Sequence, residues 1–352
     1  MVAIWRVLRS LWMARGAGDE LALSEAPGGL HERTPAGRRD IGIAVVLLVI
    51  AGAAALRPLL QDLLDQPAIA HWATIFVAIT IQAMPFLVLG VTISAGIAAL
   101  VPAGFLPRLL PEQPALAVPV AAVAGAALPG CECGSVPIAG RLVARGAPPA
   151  AALTFLLSAP AINPVVLVAT AVAFPGRPDV VGARLLASLL AAVLVGLVWA
   201  RFGRDEWLGR ARRRHSHGGS PLSVLAATAQ HDLLHAGGFL IVGAATAATL
   251  QTAVPRSILD AIGGSGMLAA FALGGLAVVM AICSEADAFI AASLTQFSLS
   301  SRLAFMVVGP MVDVKLIALQ AGTFSGRFAL RFAPLTFAAA LSSSLLIGWW
   351  LL

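Results

Sequence analysis

Apolar residues run along this chain in long blocks rather than in alternation. Blocks at 41–60, 74–101, 151–173, 184–202, 236–254, 303–322 and 333–351 come close to or exceed the ~20 residues that cross a bilayer as a helix. Two further blocks, 116–129 and 267–282, are shorter than a normal span. Each leads into a cysteine, and each is followed by another short apolar piece, 134–145 or 285–296. Glycine and proline in Leu128-Pro129-Gly130-Cys131-Glu132-Cys133-Gly134-Ser135-Val136-Pro137 stop a helix from running straight through. Interrupted segments at corresponding places in two halves are a sequence pointer to a transporter binding site.

The halves correspond by position. An offset of 150 residues pairs Cys133 with Cys283, Phe155 with Phe305, Pro160 with Pro310 and Asn163 with Asp313. An offset of 153 pairs Phe86-Leu87-Val88-Leu89-Gly90 with Phe239-Leu240-Ile241-Val242-Gly243, and Val101-Pro102 with Val254-Pro255. The pattern reads as a diverged duplication.

Composition narrows the class. The chain is 59% hydrophobic and 11% charged, with mean hydropathy +0.92. A soluble domain carries roughly 25% charged residues. A β-barrel would show alternating strands and aromatic girdles, and this chain has no tyrosine. The expected fold is an all-α polytopic membrane protein.

The net charge of +6 sits mostly on arginines in loops. In such a chain that reports topology, not a nucleic-acid partner. If 116–145 enters from the cytoplasm and returns to it, Arg108, Arg141, Arg145, the 203–214 loop, Arg327 and Arg331 all fall inside. The second hairpin, 267–296, then enters from the opposite face. The expectation is two inverted repeats, each with a broken, re-entrant helical hairpin, meeting near mid-membrane. Their tips require protein or a wet cavity around them.

The layout is a cytoplasmic N-terminal segment 1–40, a first membrane half 41–202, an Arg/His-rich cytoplasmic linker 203–232 and a second half 233–352. In the N-terminal segment Ile4, Trp5, Leu8, Leu11 and Trp12 recur at helical spacing among Arg6, Arg9 and Arg15, as in an interfacial helix. It lacks the apolar core and cleavage site of a signal peptide. The N-terminus is expected in the cytoplasm and the protein in the inner membrane.

Cys131-x-Cys133, with Cys283 in the second copy, forms a soft-ligand constellation. Thiolates select soft ions such as copper(I), and also zinc; trivalent arsenic and antimony prefer about three sulfurs. Cys133 is read as lying just before a helix start, where the helix dipole favours thiolate. A fourth ligand for structural zinc is not evident. The same cysteines could simply pack a helix crossing. Glu132, Glu285, Asp287 and Asp313 are carboxylates at membrane depth, which calls for a functional cavity or an internal partner. Ser284 and Asp287 also fit a capping box.

Lys315 is the chain's single lysine. It is assigned to neutralise a carboxylate on another helix, Glu285 or Asp287. Asp313 and Lys315, two apart on one helix, are expected to face different ways. These carboxylates and Lys315 are the candidates for proton or ion coupling. Asn163 and Asp313, each three residues after a proline, are candidate substrate-lining residues along with the three cysteines. His231 and His235 share a helix face and could bind a metal or serve as polar anchors; His215 and His217 lie in an arginine-rich loop.

Cys131-Glu132-Cys133-Gly134-Ser135-Val136-Pro137, Arg141, Arg145-Gly146 and Ser158-Ala159-Pro160-Ala161-Ile162-Asn163-Pro164 resemble the bacterial YraQ-like predicted permeases. That group includes the ArsP-type organoarsenical efflux permeases, and the resemblance spans roughly 75–350. It implies a multi-spanning inner-membrane permease, exporting trivalent arsenicals in some members and associated with metals in others. Glu132 departs from the small or polar residue familiar between the cysteines. It adds negative charge beside the thiols.

The functional expectation is a secondary transporter exporting a thiophilic ion or metalloid through a cysteine and carboxylate site. A membrane-embedded thiol redox or sulfur-handling protein and a channel subunit remain alternatives. No nucleotide loop, serine triad or HExxH motif is present, so neither an enzyme nor a resident cofactor is expected. The expected partners are a small inorganic or organometalloid solute, the lipid bilayer and other copies of the chain.

Overall fold

Proline punctuates the helices. It lacks the N–H that a helix's first turn leaves unused, and its φ is already helical. Pro67, Pro114, Pro149, Pro164 and Pro178 each open a helix in the computed structural model. The structure describes residues 66–102, 105, 111, 113–128, 130–212, 220–253 and 266–352. Segment 1–40, span 41–60, Arg108, His215 and His217 lie outside the described residues.

The helices of the first half are α1 Pro67–Leu100, α2 Pro114–Gly125, α3 Glu132–Ala144, α4 Pro149–Ile162, α5 Pro164–Ala173 and α6 Pro178–Phe202. A short helical stretch over 205–212 follows. The second half has α7 Pro221–Ala253, α8 Met267–Met280, α9 Asp287–Ser293, α10 Leu299–Met311, α11 Val314–Thr323 and α12 Gly326–Leu351. The order of elements therefore repeats: a long helix, a short helix pair interrupted at cysteine, a helix broken after proline, and a second long helix. Helix α7 begins at Pro221, so residues 221–232 of the expected linker are helical. No strand occurs among the described residues.

Among the described residues, six apolar spans are long enough to cross a membrane: α1, α4–α5 together, α6, α7, α10–α11 together, and α12. The pairs α2–α3 and α8–α9 are not among them. Helix α1, at 34 residues, is ~50 Å long, against ~30 Å of bilayer hydrocarbon. Helix α2 turns Leu116, Val120 and Val123 outward. An exposed apolar face of this kind suits lipid, and would be unfavourable in water.

Packing repeats between halves as well. Helix α2 packs on α4 as α8 packs on α10, and α4 on α6 as α10 on α12. The halves also exchange contacts, with α3 against α11 and α9 against α5. Between α6 and α12, Trp199 meets Phe328 and Phe332 edge-on at ring centroid distances of 5.2 and 5.8 Å.

Small residues set the closest approaches. A side chain on Gly90 of α1 would collide with the backbone of Gly134 in α3, and one on Gly134 would meet the Phe86 carbonyl at 2.8 Å. Gly243 stands at the matching place on α7. A Cβ there would meet the Lys315 Cα at 2.8 Å. In each half the long helix thus presents bare backbone to a segment that carries site residues.

Candidate functional site

Helix α2 ends at Gly125 and α3 starts at Glu132, with Cys131 as its extended N-cap at φ −83°, ψ 176°. Cys131, not Cys133, is therefore the residue just before the helix; Cys133 lies in the first turn. In the second half α8 ends at Met280, and the left-handed φ of 47° at its C-cap Ala281 turns the chain before Cys283. Both interruptions are buried: Cys131, Cys133 and Cys283 are at most 2% exposed. The three cysteines are free thiols. Cys131 Sγ and Cys133 Sγ lie within 4.8 Å of each other and of a Glu132 carboxylate oxygen.

Charged groups surround the thiols. Lys315 Nζ donates to Glu132 Oε1 at 2.5 Å, lies 3.6 Å from Asp313 Oδ2, and is 4.0 Å from Cys283 Sγ. The structure corrects two expectations. Lys315 pairs with Glu132 rather than Glu285 or Asp287, because α11 packs on α3. Asp313 and Lys315 do approach each other, because Asp313 is not helical. It is the extended N-cap of α11, at φ −142°, and its Oδ1 accepts the Leu316 N–H.

Asp287 has a different partner, which sequence reasoning missed. Arg184 Nη2, on α6, donates to Asp287 Oδ2 at 2.7 Å and to the Ser284 carbonyl at 3.1 Å. Its Nη1 donates to Thr170 Oγ1 at 2.9 Å. The expected Ser284–Asp287 capping box does not form. Ala286 is the N-cap of α9, and Ser284 Oγ has no hydrogen bond. The Asp287 carboxylate is instead drawn to the guanidinium. Both carboxylate oxygens of Glu285 are buried without a hydrogen-bond partner, as are Glu132 Oε2, Asp287 Oδ1 and Asp313 Oδ2. Four carboxylates thus face two cations, Lys315 and Arg184.

Asn163 is the N-cap of α5, its Oδ1 accepting the Val166 N–H at 3.0 Å. Its Nδ2 donates to the Ala159 and Gly130 carbonyls at 3.0 and 3.1 Å. The proline-broken helix is thereby tied to the backbone beside Cys131. Matched positions Asn163 and Asp313 are both caps at helix breaks, and Asp313 also faces Lys315.

A third buried pair joins Arg141 of α3 to Asp232 of α7 at 3.0 Å, with Ser94 Oγ donating to the same oxygen at 3.0 Å. Arg145 donates to the Ala98 carbonyl. His231 and His235 stack edge-on with ring centroids 5.9 Å apart, and His235 Nε2 lies 3.1 Å from the Gly322 carbonyl. Beside the thiols is a cavity of about 20 Å³, bordered by Phe86, Leu89, Ile93, Phe155 and Cys131. That is room for about one water.

An apolar multi-span bundle with buried thiols, carboxylates and interrupted helices at its centre is a multi-pass membrane protein of the permease class. The chain belongs to the ArsP_1 family of predicted permeases, whose profile matches residues 68–349. It is 38% identical to the UPF0718 protein YcgR of Bacillus subtilis over 281 residues, covering 78% of this chain and 96% of that one. It is 33% identical over 283 residues to a Streptococcus mutans protein named as a candidate subunit of a two-component membrane permease complex. That match covers 78% of this chain and 94% of the relative. No solved structure matches the chain.

Proposed function

We propose that this permease is a secondary transporter of inverted-repeat design that exports a thiophilic ion or metalloid across the inner membrane. Cys131, Cys133 and Cys283 bind the solute, with Asn163 and Asp313 shaping the passage. Glu132, Glu285, Asp287, Asp313 and Lys315 carry the coupling charge. One observation carries the reading: thiols from both helix interruptions lie around the buried Lys315–Glu132 pair, in a cluster with more carboxylates than cations. Buried carboxylates without donors are costly unless a proton or cation meets them. The matched order of elements supports the repeat, and the arginines Arg141, Arg145, Arg327 and Arg331 favour two oppositely inserted hairpins with the N-terminus inside. The complex named for the Streptococcus relative supports a second subunit as partner.

The test is serine substitution at each cysteine in a metal-sensitive host. Resistance to arsenite, methylarsenite, copper or zinc should fall with Cys131→Ser, Cys133→Ser and Cys283→Ser. Everted vesicles should take up the same solute, faster with a proton gradient. Unchanged resistance to every solute in all three variants would sink the thiol site.

A further inference from the structure

Cys131, Glu132 and Cys133 offer two sulfurs and a carboxylate oxygen within 4.8 Å of one another. Consecutive residues of a regular helix point about 100° apart. These converge because Cys131 is extended while Glu132 and Cys133 are already helical. All three are at most 1% exposed. Glu132 divides its carboxylate: Oε1 takes the Lys315 ammonium, and Oε2 is fully buried with no donor. Cys283 Sγ lies 4.0 Å from the same Lys315 ammonium, outside the three-residue cluster.

We infer that Cys131 Sγ, Cys133 Sγ and a Glu132 carboxylate oxygen form a three-ligand cation site, with its fourth position left to water, for a divalent ion of the zinc and cadmium class. The inference rests on the permease reading and names its substrate class. Zinc accepts cysteine sulfur and carboxylate oxygen together in a four-coordinate shell. Trivalent arsenic is satisfied by three sulfurs and leaves the oxygen without a role. Charge balance separates the divalent from the monovalent ion. Two thiol protons leave to solvent as one dication enters, so the net charge of the buried cluster is unchanged. A monovalent ion held by the same two thiolates would leave one more negative charge out of water. Lys315 is a positioning residue: it holds one carboxylate oxygen and leaves the other for the ion.

The experiment titrates the purified full-length protein with cadmium, whose thiolate bonds absorb in the ultraviolet. One cadmium should bind per chain with a cadmium–thiolate band. Glu132→Gln should weaken binding about tenfold or more while absorbance per bound cadmium is retained; Cys133→Ser should lower that absorbance. Because Glu132→Gln removes the nearest counter-charge of Lys315, the double variant Glu132→Gln/Lys315→Met is measured alongside and should show the same loss. Wild-type affinity in both Glu132 variants, or cadmium bound without a thiolate band, would overturn the site.

Vesicle uptake separates the two claims. Cadmium binding as expected with no solute moved leaves the site standing and removes the permease reading. Arsenite transport that ignores Glu132→Gln keeps the permease reading and removes the divalent site.

Discussion

Glu132 and Lys315 are 183 residues apart in sequence and 2.5 Å apart in space, both fully buried. Removing one partner of a buried pair leaves a bare charge and costs about 3–5 kcal/mol, whereas replacing both is far milder. Lys315→Met should therefore lower the detergent melting temperature more than Glu132→Gln/Lys315→Met does. The cysteines and acidic residues stood out in the sequence because charge and thiols are rare in this chain. Their partners did not. Spans drawn as 184–202 and 236–254 put Arg184 at a span end and Asp232 outside, where charge is ordinary. In the structure Arg184 lies inside α6 and Asp232 inside α7. An ionisable residue within a span implies a partner, and extending each span back to the preceding proline would have exposed both.

At the scale of elements, the interruptions carry the site. Asn163→Ala removes the α5 cap and the tether to Gly130, and the cap alone is worth about 1 kcal/mol. The melting temperature should fall, and cadmium affinity with it as Cys131 loses its support. Gly134→Ala sets a methyl against α1; overpacking of this kind costs about 1–3 kcal/mol and should be visible in the same two measurements. The breaks were legible because Pro160, Pro310 and the glycines around the first cysteine pair announce them. The turn at Ala281 was not. A left-handed backbone normally calls for glycine, and alanine there gives the sequence no mark. The partners of Asp313 were misjudged because regular helical spacing was assumed through a residue that interrupts the helix.

Across the described residues, three buried ion pairs join the two halves, Arg141 to Asp232, Arg184 to Asp287 and Lys315 to Glu132, while Lys315 to Asp313 lies within the second half. A half produced alone would lose the partners that the other half supplies to three buried charges. Residues 1–212 and 213–352 expressed separately should be degraded, and co-expressed should be recovered together; the two fragments' yield and co-purification check this. Six of the seven expected spans and the doubling of elements were readable from apolar blocks and matched prolines; the span at 41–60 lies outside the described residues. The interlocking of halves was not, since contacts of such sequence separation leave no local periodicity.

The Gly90–Gly134 crossing has a mechanical consequence. No side chain stands between the two main chains there, so any tilt of α3 would turn on that point without a rotamer change. Cys131 and Cys133 lie beside this fulcrum, while Arg141 sits seven residues further out, ~10 Å along the axis. A swing of the helix would carry the arginine end through an arc and leave the sulfurs nearly still.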